Sequence, residues 1–239
     1  MFMRKVRPQD VLAEFLRQAD DQLAHYDRVL LALAGTANEK LDISLMSKNM
    51  LHAVFVDFEC FISDLFVSYL NRDFSQYQDT FEAAVKKSAS DKHSPWLAGR
   101  ITFNRPAHVS LDELAEAIDP TGWNTTFKDS TVMKQKAQQW LAEPYRSKVL
   151  GLDDEDSRLI DTARALRNWI AHQSAGARKK MNDMLRDIEQ GPGTPNHELG
   201  RGVREIKNIG SFLKKKINGE RCVQIYVRRL KDAAQNLTV

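Results

Sequence analysis

The stretch Leu166-Arg167-Asn168-Trp169-Ile170-Ala171-His172 places a guanidinium, a carboxamide and an imidazole within seven residues. On a helix at 100° per residue counted from Leu159, Ile160, Ala163, Leu166, Ile170 and Ala171 form an apolar stripe between about −20° and 120°, and Arg167 falls inside it at about 80°. Arginine is seldom buried alone, because losing one partner of a buried pair costs about 3–5 kcal/mol, so position 167 demands a carboxylate, a phosphate or a cleft. Arg164, Asn168, Asp161 and His172 follow at about 140°, 180°, 200° and 220°, with Asn168 and His172 four apart and therefore surface neighbours. Histidine moves a proton near neutrality, and arginine offers a fixed charged fork for phosphate oxygens. Those are the parts needed to cleave RNA without a metal. A base takes the 2′-hydroxyl proton, that oxygen attacks the adjacent phosphorus, and a cation stabilises the charge that develops.

The elements that must position these residues read as helices. Pro8 opens a long amphipathic helix carrying Val11, Phe15, Ala19, Leu23, Tyr26 and Leu30, with Gly35 as its stop. A second runs from about Leu45 to Asn71, its core stripe formed by Val54, Phe55, Phe58, Phe61, Ile62, Leu65, Phe66 and Tyr69. The window Leu51–Leu70 is long enough to span a bilayer, but Asp57, Glu59 and Asp64 make it a core helix instead. A shorter helix is expected over 74–88. The segment 90–110 loses periodicity and gathers Pro95, Gly99 and Pro106, which predicts a loop insertion. Ser110-Leu111-Asp112-Glu113 reads as a capping box opening a helix that Asp119-Pro120 and Gly122 end. Further helices are expected over 131–143, from the acidic Asp153–Asp156 cluster through His172, and over 178–190 up to the Gly191–Pro195 loop signal. Over 211–227 the apolar spacing favours a helix, although Asn218-Gly219 is also a hairpin signal.

The LRNWIAH string resembles the R-N-x-x-x-H signature of the HEPN superfamily, specifically its RiboL-PSP-like branch. The resemblance covers residues 40–190 loosely and is sharp over the seven-residue core. It implies an all-α, HEPN-like helical bundle over 1–190, carrying the 90–110 insertion, with 191–239 as a loop and basic C-terminal extension packed on it. It implies a homodimer in which two copies of the motif face a common cleft, a symmetric pairing that is common in any case. Arg167 would then stabilise the phosphate, His172 would act as general base or acid, and Asn168 would orient them. Many members also hold the arginine with an acid on the earlier helix. Glu59 is the candidate, at about 140° on a wheel counted from Val54, with Asp57 and Asp64 on the opposite edge as alternatives. The activity implied is a metal-independent, cofactor-free endoribonuclease leaving 2′,3′-cyclic phosphate and 5′-hydroxyl ends, in phage defence or a toxin–antitoxin system with an antitoxin or defence partner. The alternative is a non-catalytic module binding RNA, a nucleotide or a protein. Members paired with a nucleotidyltransferase antitoxin often carry a tyrosine two positions after the histidine; here that position is Ser174, which argues against that form of control.

Composition narrows the remaining classes. With 239 residues, 42% hydrophobic and 28% charged, and only eleven glycines and seven prolines, the chain is globular rather than disordered. Cys60 and Cys222 form no metal or redox spacing and suit a reducing compartment, and the start MFMRKVRPQDV lacks the apolar run of a secretory signal, so a cytoplasmic protein away from membranes is expected. No HExxH, GxxxxGK or GxSxG occurs, and His93, His108 and His197 lack ligand spacing. Residues 201–239 hold ten Lys/Arg against three Asp/Glu, a balance of +7 within a net charge of +3. Lys214, Lys215, Lys216, Arg228 and Arg229, with Arg164 on the motif helix, are therefore candidate RNA-backbone contacts. Trp96, Trp123, Trp140 and Trp169 read as core or interface residues.

Overall fold

A computed structural model describes residues 6–106, 109–118, 126–186 and 205–239, and over these the fold is all-α. The helices are α1 (Pro8–Leu33), α2 (Glu39–Arg72), α3 (Ser75–Lys92), α4 (Pro95–Ala98), α5 (Leu111–Ile118), α6 (Ser130–Trp140), α7 (Tyr145–Leu150), α8 (Asp154–His172) and α9 (Ala175–Arg186). After them come α10 (Ile209–Leu213), a two-stranded hairpin of β1 (Lys216–Ile217) and β2 (Glu220–Arg221), and α11 (Cys222–Leu237). No helix among the described residues is long and apolar enough to cross a membrane.

The chain groups into two compact units, and α2 contributes to both. The first comprises residues 1–11, 62–151 and 238–239; the second comprises 12–61 and 152–237. In the first, Phe66 packs against Phe127 with ring centroids 4.7 Å apart and edge-on to Trp140 at 6.4 Å, while Tyr69 stacks on Tyr145 at 4.5 Å. Tyr77 donates its hydroxyl to the Ala117 carbonyl at 2.8 Å, and Thr80 donates to the Gln139 carbonyl at 2.6 Å, tying α3 to the ends of α5 and α6. Ser110 and Glu113 form the expected capping box, Ser110 N donating to Glu113 Oε2 at 2.7 Å and Glu113 N to Ser110 Oγ at 3.2 Å.

The second unit holds the motif helix. Phe15 of α1 lies edge-on to Phe58 at 5.6 Å and stacks on Phe61 at 5.1 Å, which fixes α1 against the α2 stripe. Tyr26 and Ser47 share a 2.6 Å hydrogen bond in the core, where burial pushes the Tyr26 phenol pKa up. Behind them α11 buries Val223, Tyr226, Val227, Leu230, Ala233, Ala234 and Leu237, at helical spacing. The helix α10 approaches α2 so closely that a Cβ at Gly210 would stand 2.7 Å from the Ser44 carbonyl oxygen.

Several boundaries differ from the sequence expectation. The second helix begins at Glu39 rather than near Leu45; Leu41 and Leu45 are exposed there, so apolar periodicity does not mark the first turns. The 90–110 segment is not all loop. The helix α3 runs to Lys92, and Ser94 Oγ then accepts from Leu97 N at 3.2 Å to cap the single turn α4, with Pro95 in its first position. The helix α6 stops at Trp140, three residues short of the expected end at 143. Residues 211–227 are not one helix. Asn218 and Gly219 both have positive φ, 53° and 91°, the requirement of a tight two-residue hairpin turn, and α11 starts only after it. The Asp119-Pro120, Gly122 and Gly191–Pro195 signals, residues 187–190, Trp123, His108 and His197 lie outside the described residues.

The contact at Gly210 yields a stability test. Gly210→Ala should destabilise by about 1–3 kcal/mol, because the added methyl meets backbone rather than a movable side chain. Gly176→Ala in α9, where a Cβ meets nothing within 4 Å, should be neutral or stabilising by up to about 1 kcal/mol. Urea unfolding midpoints of the two variants compare these directly.

Candidate functional site

The helix α8 starts where Asp153 accepts from Asp156 N at 2.7 Å. Leu159, Ile160, Ala163 and Leu166 are buried, as the wheel requires, but the stripe does not persist to the end: Ile170 is half-buried and Ala171 is exposed. The last turn of α8 leaves the core, so the chemistry-bearing residues occupy the transition from packed to solvated helix. Gln173 closes the helix in the left-handed conformation, at φ 49°, and α9 follows.

Arg167 is held on two sides. Its Nη2 pairs with Glu59 Oε2 at 2.8 Å, and its Nη1 donates to Asn168 Oδ1 at 3.0 Å. The second oxygen of Glu59, Oε1, takes Arg164 Nη2 at 2.9 Å. The side chains are 13% exposed for Glu59, 17% for Arg164 and 24% for Arg167, so the triad is largely screened from water. Arg167 Nε is buried without a hydrogen-bond partner among the described residues. Two guanidinium groups against one carboxylate leave one formal positive charge at a mostly desolvated position. Such a place favours an anion, because low local polarity strengthens a charge–charge contact.

Of the three candidate acids on α2, the structure brings Glu59 to the arginines. Asp57 is half-buried and desolvation raises its carboxyl pKa, while Asp64 is exposed; neither pairs with an arginine among the described residues. His172 is exposed at the end of α8, and its ring has no hydrogen-bond partner among the described residues. It lies four residues beyond Asn168, so those two neighbour one another on the polar edge of α8, while Arg167 lies on the core-facing side.

The C-terminal cations are mostly engaged with the protein. Lys214 Nζ donates to the Lys40 carbonyl at 2.6 Å and Arg228 pairs with Glu220 at 3.0 Å. Arg229 reaches Glu155 at 2.8 Å and Asp156 at 3.4 Å. Lys215 and Lys216 are exposed. Arg164, read as a backbone contact, is instead committed to Glu59. Sequence reasoning also missed the role of Asp156, a buried acid that takes both Arg229 and Asn236 Nδ2, the latter at 2.9 Å. The signal was available: Asp156 falls at about 60° on the α8 wheel, inside the apolar stripe, where a carboxylate requires a partner.

Among the described residues, no three of His, Cys, Asp and Glu come together in a way that would hold a metal ion. Compared with known proteins, the chain matches no family model, no curated protein and no solved structure.

Two substitutions test this account of the acids. Glu59→Gln should cost about 1–3 kcal/mol, less than a fully buried broken pair because the groups retain some exposure. Asp57 behaves oppositely. Its raised pKa means the folded state binds the proton more tightly, so its charge begins to oppose folding as the pH passes the ordinary carboxylate value and does so fully above the raised one. Asp57→Asn should therefore raise stability at pH 7, and the gain should vanish below about pH 4, where the wild-type carboxyl is protonated in both states. Denaturant melts at the two pH values check both.

Proposed function

We propose that the protein is a metal-independent endoribonuclease of HEPN type, working as a homodimer on single-stranded or looped RNA. The observation that carries this reading is the Glu59 clamp, which fixes Arg167 beside Asn168 with an exposed His172 at the end of the same helix. Glu59 and Asn168 orient Arg167 so that its charge meets the phosphate. Because Arg167 and His172 lie about 140° apart around α8, one copy alone does not converge them on a phosphodiester, and a second copy across a cleft supplies the complementary set.

In the proposed reaction the imidazole of one His172 accepts the 2′-hydroxyl proton, and O2′ attacks phosphorus. The charge on the equatorial oxygens is met by Arg167, the P–O5′ bond breaks, and the protonated imidazole of the second His172 returns a proton to the departing 5′ oxygen. The products are a 2′,3′-cyclic phosphate and a 5′-hydroxyl. The cellular setting we propose is cytoplasmic phage defence or a toxin–antitoxin pair, with an antitoxin or other defence component as controlling partner. In this proposal the exposed Lys215 and Lys216 contact the RNA backbone.

Purified protein incubated with mixed RNA in EDTA should give fragments ending in cyclic phosphate. His172→Ala and Arg167→Ala should each lower the rate by about 10²–10⁴-fold while the dimer persists by sedimentation. Salt-sensitive RNA binding with no turnover in the wild type would instead identify a non-catalytic binding module.

A further inference from the structure

The first unit carries a set of aromatic and cationic side chains that its own packing does not use. Trp96 is 65% exposed and Phe81 54%, so of the core or interface roles read for Trp96 the core one does not apply. The turn that presents Trp96 is anchored on both sides: Ser94 caps it, and Ala98 is buried. One face of the indole is covered by the Arg100 guanidinium, 4.1 Å from the ring centroid. At this exposure the rest of the ring lies open to solvent. Phe81 meets Phe103 edge-on at 6.2 Å, and Lys86 Nζ stands 5.7 Å over the Phe103 ring. Each ring cluster on this stretch of chain is therefore accompanied by a cation.

The charge balance points the same way. Residues 75–106 contain five Lys/Arg and three Asp/Glu. All three acids are already taken, Asp79 and Glu82 by Arg105 at 2.7 and 2.6 Å and Asp91 by Lys87 at 2.7 Å. Lys92 and Arg100 form no ion pair among the described residues, and Lys86 meets the Glu82 charge only at longer range. An apolar protein partner would leave these cations desolvated. A single-stranded nucleic acid satisfies both halves of the pattern, since each base offers a flat face to a ring and each phosphate a charge to a cation.

We propose that Trp96 with Arg100, together with the Phe81–Phe103–Lys86 cluster, binds single-stranded nucleic acid by stacking unpaired bases on the rings and pairing the adjacent phosphates with the cations. This site does not depend on the reading of the Arg167 motif. Stacking recognises the base plane rather than the sugar, so oligo(U) and oligo(dT) both bind, and a blunt duplex, whose bases are already stacked, does not.

The test uses the full chain carrying Arg167→Ala and His172→Ala, so that binding is read without cleavage. Fluorescence anisotropy with labelled twelve-residue oligo(U) and oligo(dT), beside a duplex of the same length, measures affinity. Tryptophan emission of the protein reports stacking. Trp96→Ala in this background should weaken single-strand binding by about 5- to 150-fold and abolish the quenching of tryptophan emission by oligonucleotide, while Trp96→Phe, which keeps a ring but loses the indole emission, retains most of the binding. Lys86→Ala should lower the slope of affinity against salt. Trp96 is exposed, so its variants should keep the parent circular dichroism spectrum. Failure of the parent to bind either oligonucleotide, unchanged affinity in Trp96→Ala, or equal binding of duplex would each overturn the proposal. Cleavage by the chain with Arg167 and His172 intact, measured separately, decides the other reading whichever way this one falls.

Discussion

A guanidinium that leaves water needs an oxygen on every side it loses, and in the second unit two arginines draw on the same carboxylate. Glu59 comes from the middle of α2, among Phe55, Phe58 and Phe61, where an unpartnered acid would be expensive. Arg164 and Arg167 come from α8, one turn apart, where unpartnered cations would be equally so. Each side makes the other tolerable, but the balance is unequal: a bidentate carboxylate satisfies two nitrogens and cancels one charge of two. The remaining charge, with Asn168 fixing the plane of one guanidinium, distinguishes this contact from an ordinary surface ion pair, which contributes little and holds nothing in place.

The same rule operates at the opposite end of α8. Asp156 enters the apolar stripe and is answered by Arg229 and Asn236 from α11, so the helix is held by polar contacts near its start and by the Glu59 clamp near its finish. Between them Leu159, Ala163 and Leu166 pack conventionally. Beyond the clamp the helix emerges, and His172 is exposed to solvent. The rigid part of α8 positions the arginine, and the exposed part presents the imidazole.

Much of this was legible from residue spacing because amphipathic helices are local objects. The Phe-rich stripe of α2, the capping box at Ser110 and the inward position of Arg167 all follow from periods of three and four. The acid on α2 is sought because the resemblance implies one there, and the helix-edge place of Glu59 only selects it over Asp57 and Asp64. What spacing did not reveal depends on pairs distant in sequence. Nothing local to Arg164 says that it turns to Glu59 rather than to solvent, and the basic tail could be counted but not assigned until Glu220, Glu155 and the Lys40 carbonyl were seen to occupy it. The 218–219 turn was ambiguous for another reason. Helical spacing resumes directly after it, and only the left-handed backbone of two successive residues shows that the helix begins at Cys222.

The arithmetic of the clamp also sets an order in which this site is able to evolve. Loss of Arg164 leaves Glu59 matched one-to-one with Arg167, a neutral pair that still orients the guanidinium. Loss of Glu59 first strands two like charges a single turn apart in a screened position. A lineage drifting away from the triad therefore passes more readily through the first change than the second, and divergent descendants should retain the acid longer than Arg164.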